Sequence, residues 1–258
     1  MTMDRDALRQ LFDMSGRVVI VTGGTRGIGL ALAEGYVAAG ASVVVASRKA
    51  DACAQAEAHL RDLGGEAIGV PAHLGDLDDL DRLVERTVAE LGRIDVVVNN
   101  AANALAQPLG EFTPEAWAKS FDVNLRGPVF LVQKALPHLT ASPHAAVLNV
   151  VSVGAFLFSA DVAMYAAGKA GLVSFTRSMA ARYAPLGIRV NALAPGSVDT
   201  DMTRATPPEA QAGMARSSLQ KRIASADEMV GPALLLSSDA GSFVTGQVLI
   251  ADGGLTPH

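Results

Sequence analysis

The feature that most restricts this chain is its rhythm. Short β-branched runs alternate with longer Ala- and Leu-rich stretches from one end to the other. The strand candidates are RVVIVT (17–22), SVVVAS (42–47), EAIGVPA (66–72), IDVVVNN (94–100), AAVLNVVS (145–152), IRVNALA (188–194) and QVLIA (247–251). Helical segments are expected near 28–39, 50–63, 77–91, 113–137, 162–185 and 226–237. Strand, helix, strand at this spacing builds βαβ units, hence a parallel sheet with helices on both faces. The strands read as continuous apolar runs, which fits burial on both faces. The expectation is a doubly wound α/β fold with a mostly parallel seven-stranded sheet, one domain spanning 1–258. Only 202–222, MTRATPPEAQAGMARSSLQKR, is irregular, because Pro207 and Pro208 interrupt a weak helical pattern; this stretch reads as a lid.

Composition narrows the class. Half of the 258 residues are hydrophobic and the mean hydropathy is +0.28, enough for a large core and an apolar interface besides. The net charge is -5, without a run of Lys or Arg, which argues against nucleic-acid and acidic-membrane partners. Cys53 is the sole cysteine, so no internal disulfide and no thiolate zinc site is expected, and no metal is assigned. The opening MTMDRDALRQLFDMSGR lacks the apolar stretch of a signal peptide, and no apolar run reaches the length of a membrane span. A cytoplasmic location is the expectation.

Directly after the first strand comes TGGTRGIG, residues 22–29. Glycines at 23, 27 and 29 allow a tight turn and close backbone approach, and the helix that follows offers free N–H groups and a dipole to a pyrophosphate. First strand, spaced glycines, then helix is the context of a dinucleotide-binding, Rossmann-type fold. MYAAGKAG, 164–171, places Tyr165 and Lys169 one helical turn apart on one face. An ammonium beside a phenol favours the phenolate and so lowers its pKa from about 10. That makes Tyr165 a candidate proton donor to a carbonyl being reduced.

Together TGGTRGIG, NNAA (99–102), Asn124 in FDVNLRG, Ser152 in NVVS, YAAGK (165–169) and APGSVDT (194–200) occur in the order and spacing of the short-chain dehydrogenase/reductase family. The resemblance covers about 16–254 and ends in the ADGG typical of that family's last strand. It implies that Asn124, Ser152, Tyr165 and Lys169 are catalytic. Ser152 donates to the substrate oxygen, Lys169 also holds the nicotinamide ribose, and Asn124 keeps a water that relays protons to solvent. It further implies nucleotide contacts from Gly23, Thr25, Arg26, Gly27, Ile28 and Gly29 in the turn. Others come from Ser47 and Arg48, His73 and Leu74, Asn100 and Ala101, Tyr165 and Lys169, and Pro195, Gly196, Val198 and Thr200. Asn99 is expected to tie strands together, and Tyr183, with no lysine one turn on, to pack.

The nucleotide choice turns on the end of the second strand. NAD users place a carboxylate there for the ribose, whereas this chain reads ASRK, with Ser47 and Arg48. An acid would repel a 2′-phosphate and Arg48 can fork onto it; Arg26 supplies a second cation. NADP(H) is therefore the assigned cofactor, with NAD(H) second. Three positions depart from the family pattern. His73 stands where an Asp commonly contacts adenine, Ala102 replaces a glycine, and Gly168 replaces a frequent serine.

The resemblance places the substrate walls in GAFLFSADVAM, NALAQP and MTRATPPEAQAGM. Phe156, Leu157, Phe158, Met164, Leu105, Met202 and Met214 make that lining apolar, with Arg204 the one cation; Phe156, Phe158 and Met202 are the assigned substrate contacts. A medium-sized hydrophobic ketone or secondary alcohol is the expected substrate. The alternatives are 3-oxoacyl-[acyl-carrier-protein] reductase and sugar or polyol dehydrogenase. The first is demoted because TASPHAA and APLGI carry no Lys or Arg with which to steer an acidic carrier. From outside enzymology, the rival is a catalytically silent NADP(H)-binding sensor or scaffold. The family's habit of pairing its long helices, here 113–137 and 162–185, implies a homotetramer or homodimer.

Overall fold

The computed structural model describes residues 3–158 and 161–256. All seven expected strands form: β1 Val18–Thr22, β2 Ser42–Ser47, β3 Ala67–Pro71, β4 Val96–Asn99, β5 Ala146–Val150, β6 Arg189–Pro195 and β7 Val248–Ala251. They make one sheet in the order β3-β2-β1-β4-β5-β6-β7, every pair parallel. The chain runs outward from β1 to β3, then crosses back to β4 on the other side of β1. That reversal opens a crevice above the carboxyl ends of β1 and β4, the place where ligands bind in open α/β sheets.

The helices are α1 Arg5–Gln10, α2 Gly27–Ala38, α3 Ala50–Asp62, α4 Leu77–Leu91, α5 Pro114–Phe121, α6 Gly127–Ala141, α7 Ala163–Tyr183, α8 Asp201–Arg204, α9 Pro208–Ser217 and α10 Val230–Ser237. Alternate residues of each strand feed opposite cores. Val18 and Ile20 of β1 pack with Leu80 and Leu83 of α4, Leu131 and Leu139 of α6 and Met179 of α7. Val19 and Val21 pack with Leu32 and Tyr36 of α2, Leu60 of α3 and Leu236 of α10. Each fully buried aliphatic side chain contributes about 1.5–3 kcal/mol, so two full cores hold the sheet on both faces. Tyr183 packs against the first core, as expected.

Three elements differ from the sequence expectation. α1 forms in a segment that carries no helical expectation, capped by the Asp4 carboxylate, which accepts from the amides of Asp6 and Ala7. The single helix expected over 113–137 is two helices joined by a π-turn, Asp122–Arg126. The lid holds two short helices, α8 and α9, with the prolines at the start of the second, where a missing N–H costs nothing. Among the described residues no helix is long and apolar enough to cross a membrane.

Candidate active site

The glycine turn is built for close approach. Gly23 (φ +66) and Gly27 (φ +53) lie in the left-handed region that favours glycine. A Cβ on Gly29 would lie 2.1 Å from the Gly23 carbonyl oxygen and 2.4 Å from the Asn100 side-chain nitrogen. The turn is stapled to the end of β4. Asn100 donates to the carbonyls of Thr22 (2.9 Å) and Gly23 (3.3 Å), while Thr22 Oγ1 accepts from the amides of Asn100 (3.0 Å) and Ala101 (3.1 Å). At the start of α2 the cap residue, Arg26, makes no side-chain cap bond, which leaves the first amides to a ligand. Thr25 and Ile28 are half-buried in the same turn. Glycine-only contacts and unclaimed amides at a helix start fit a pyrophosphate.

The surrounding nucleotide residues gather around this turn from distant elements. Ser47 is half-buried at the end of β2 and Arg48 beside it is exposed. Arg26 turns to Asp201 of the lid, 3.1 Å away. His73 is half-buried just beyond the end of β3. Its amide donates to Asp79 (2.7 Å) and its Nδ1 accepts from Gly75 (3.0 Å), so only the Nε2 edge remains. Leu74 is buried. Across the crevice, Thr200 sits over the turn, with Cγ2 3.2 Å from where a Cβ on Gly27 would be. Gly196 is pressed against Asp252, next to Pro195 at the end of β6. Val198 is buried, and its carbonyl accepts from Thr203 Oγ1 (2.6 Å). Asn99 ties strands as expected, donating to Asn149 (2.9 Å), which donates in turn to Thr176 (2.9 Å).

The four candidate catalytic residues converge at the carboxyl end of β5. Ser152 follows β5 in extended backbone and caps a short 3₁₀ turn, its Oγ accepting from the Gly154 amide (3.1 Å). Tyr165, on the first turn of α7, lies beside it: a Cβ added to Gly154 would be 3.4 Å from Ser152 Oγ and 3.9 Å from Tyr165 Cε1. Lys169, 1% exposed, donates to the Val150 carbonyl (2.7 Å) and lies 5.8 Å from the centre of the Tyr165 ring. Asn124, fully buried in the π-turn, accepts from the amide of Asn103 (3.0 Å) and donates to its carbonyl (2.7 Å). It thereby clamps the loop after β4. Such π-insertions are frequent at functional sites because they break the regular carbonyl ladder. Gly168 matters here: a Cβ on it would lie 3.0 Å from that of Asn124, so the glycine at this position lets the π-turn approach α7 closely.

Burial acts on both members of the Tyr165–Lys169 pair. In the chain itself burial pushes the Tyr165 phenol up, against the opposing effect of the Ser152 hydroxyl. Burial also draws the Lys169 ammonium down, to about 8.

On the substrate side, Phe156, Leu157 and Met202 are about half exposed and Phe158 fully so. Met164, on the first turn of α7, is only 2% exposed and so does not line the cleft. Leu105 and Met214 are half-buried. Ser159 and Ala160 of the expected wall lie outside the described residues. Arg204, the expected cation, is gripped by Asp199 through two hydrogen bonds (2.7 and 3.0 Å). Residues given no individual role by the sequence but shaping the site are Asn103 of NALAQP, Asp252 of ADGG, Asp201, and Ser120 behind Asn124 (3.3 Å).

A parallel sheet with this strand order, a glycine turn at its switch point and a Ser–Tyr–Lys cluster beside the crevice define a Rossmann-type oxidoreductase. A family profile described as "Enoyl-(Acyl carrier protein) reductase" matches residues 23–256. The cis-4-hydroxycyclohexanecarboxylate dehydrogenase of Sinomonas cyclohexanicum is 39% identical over 243 residues, covering 93% of this chain and 96% of that protein. The 3-oxoacyl-[acyl-carrier-protein] reductase FabG of Escherichia coli is 33% identical, covering 94% and 98%. A gluconate 5-dehydrogenase from Burkholderia cenocepacia, solved in complex with NADP and tartrate, superposes with a TM-score of 0.92 at 34% identity, covering 97% and 99%. The chain belongs to the short-chain dehydrogenase/reductase family, and it is an oxidoreductase of the CH–OH/carbonyl couple.

Proposed function

We propose that the protein is an NADP(H)-dependent carbonyl reductase and secondary-alcohol dehydrogenase acting on a medium-sized, uncharged, hydrophobic substrate. The observation that carries this reading is the convergence of Ser152, Tyr165 and Lys169, with both Ser152 and Tyr165 beside Gly154 and the Lys169 ammonium 5.8 Å from the centre of the Tyr165 ring. When bound, NADP(H) would supply or receive the hydride. Ser152 holds the substrate oxygen and Tyr165 gives it a proton; Lys169, which donates to the Val150 carbonyl, would also hold the nicotinamide ribose. Asn124 fixes the Asn103 loop against α7, which keeps the proton path on one side of the site. Arg48, exposed at the end of β2, and the NADP of the Burkholderia relative support the nucleotide choice.

The Sinomonas relative's name specifies a ring alcohol with a carboxylate. A cyclic secondary alcohol suits the apolar walls here, whereas the carboxylate does not, because Arg204 is already held by Asp199. The likeness to an acyl-carrier reductase supports a second reading, weakened by the lack of Lys or Arg in TASPHAA and APLGI. The test is NADPH oxidation with cyclic and open-chain ketones, an acyl-carrier thioester and a sugar. Tyr165→Phe is the control, expected to slow turnover by about 10²–10⁴-fold. NADPH binding with no turnover on any substrate would favour the silent sensor instead. Exposed Trp117, stacked 4.4 Å from Phe121, and exposed Phe175 on α7 support a dimer or tetramer through these helices; a monomer by light scattering would overturn it.

A further inference from the structure

We propose that Asp201 tunes nucleotide preference by competing with the cofactor's 2′-phosphate for Arg26. The inference rests on the reading above that Arg26 and Arg48 receive that phosphate. The two cations are not equivalent in the structure. Arg48 is exposed and no ion pair engages it among the described residues. Arg26 projects from the start of α2, three-quarters exposed, and one guanidinium nitrogen meets Asp201 Oδ2 at 3.1 Å.

The backbone makes that meeting specific. Thr200 packs over Gly27, so the first residue of the lid helix α8 lies against the glycine turn. Arg204, the neighbouring cation, is committed to Asp199 through both of its carboxylate oxygens, which leaves Arg26 as the cation that Asp201 engages. The contact between Arg26 and Asp201 is single-pronged, whereas a phosphate presents three oxygens to the same fork and prefers it. Asp201 thus imposes a cost on the phosphorylated nucleotide alone. It must give up Arg26, and its own charge then remains beside a phosphate. The unphosphorylated nucleotide leaves the ion pair intact.

The test is titration of the purified protein with NADPH and with NADH by nucleotide fluorescence. Because the pair is exposed, Asp201→Asn is expected to tighten NADPH by about two- to fivefold and leave NADH unchanged. Asp201→Ser, which keeps a short polar residue at the start of α8, should do the same. In an Arg26→Ala background the gain should vanish, which separates competition from a general change of field. Unchanged or weakened NADPH binding in Asp201→Asn would overturn the proposal; weakening would mean that Asp201 holds Arg26 ready for the phosphate. The underlying reading is tested separately by Arg26→Ala alone. If that variant loses no NADPH affinity relative to NADH, the phosphate assignment fails. If it loses NADPH selectively while Asp201→Asn gains nothing, the competition alone fails.

Discussion

Replacing Gly29 by alanine adds one methyl group at the most crowded point of the nucleotide turn. The added Cβ would lie 2.1 Å from the Gly23 carbonyl oxygen, 2.4 Å from Asn100 Nδ2 and 2.8 Å from the Gly23 carbonyl carbon. Comfortable contact is about 3.5 Å, so the carbonyl must retreat by more than about 1 Å. The obstacle is backbone, which cannot rotate away as a side chain would. Asn100 bonds the Gly23 and Thr22 carbonyls with the same nitrogen, so the shift loosens the whole staple. In stability the two effects partly cancel. Overpacking costs about 1–3 kcal/mol, while alanine in place of glycine within a helix returns up to about 1 kcal/mol. Nucleotide binding has no such offset, since losing one charge-assisted amide contact costs about 1.5–3 kcal/mol. The expected result is NADPH affinity reduced at least tenfold with urea stability lowered by about 0–2 kcal/mol. If NADPH affinity stays within twofold of the parent protein, the turn is not the phosphate cradle described here.

Gly231 in α10 is the counterpart, because nothing lies within 4 Å of its added Cβ; Gly231→Ala should raise stability by about 0.5–1 kcal/mol in urea titrations and leave turnover unchanged. Burial draws Lys169 to about 8, so its positive charge is present below that pH and lost above it. If the charge assists Tyr165, kcat/KM for ketone reduction falls as pH rises through about 8, and Lys169→Met gives a slow enzyme without that limb. Asp95 sits buried at the amino end of β4. Burial pushes its carboxyl up, but Arg93, Ser142 and the Val18 amide together hold it below the ordinary carboxylate range. A lowered folded-state pKa means that its stabilisation is present above the unfolded value near 3.9 and is lost as pH falls through the folded one. Asp95→Asn should therefore cost about 1–3 kcal/mol at pH 7, with a smaller difference between the two proteins at pH 3, both read by urea unfolding.

Much of the site is legible in the chain because its chemistry is local. TGGTRGIG marks a turn that only glycine can make, and YAAGK puts two side chains on one helical face without help from elsewhere. The β-branched runs become strands within a residue or two at each end, since their apolar character leaves them no other place than a doubly covered sheet. Other properties depend on neighbours that the chain brings from far away. Met164 reads as a wall residue and is core, because helix α7 turns it inward. The phenol of Tyr165 is raised, because desolvation inside the assembled cleft outweighs the effect of the Ser152 hydroxyl.

Local residue character determined which segments are strands and helices, where the glycine turn falls, and which four side chains share family spacing. Tertiary structure decided the order β3-β2-β1-β4-β5-β6-β7 that brings those segments to one crevice. It also decided the Asn124–Asn103 clamp, the Asp199 grip on Arg204 and the meeting of Arg26 with Asp201, 175 residues apart. Hydrogen bonds and ion pairs act over a few ångströms, and only the folded sheet brings residues that distant in sequence within that range.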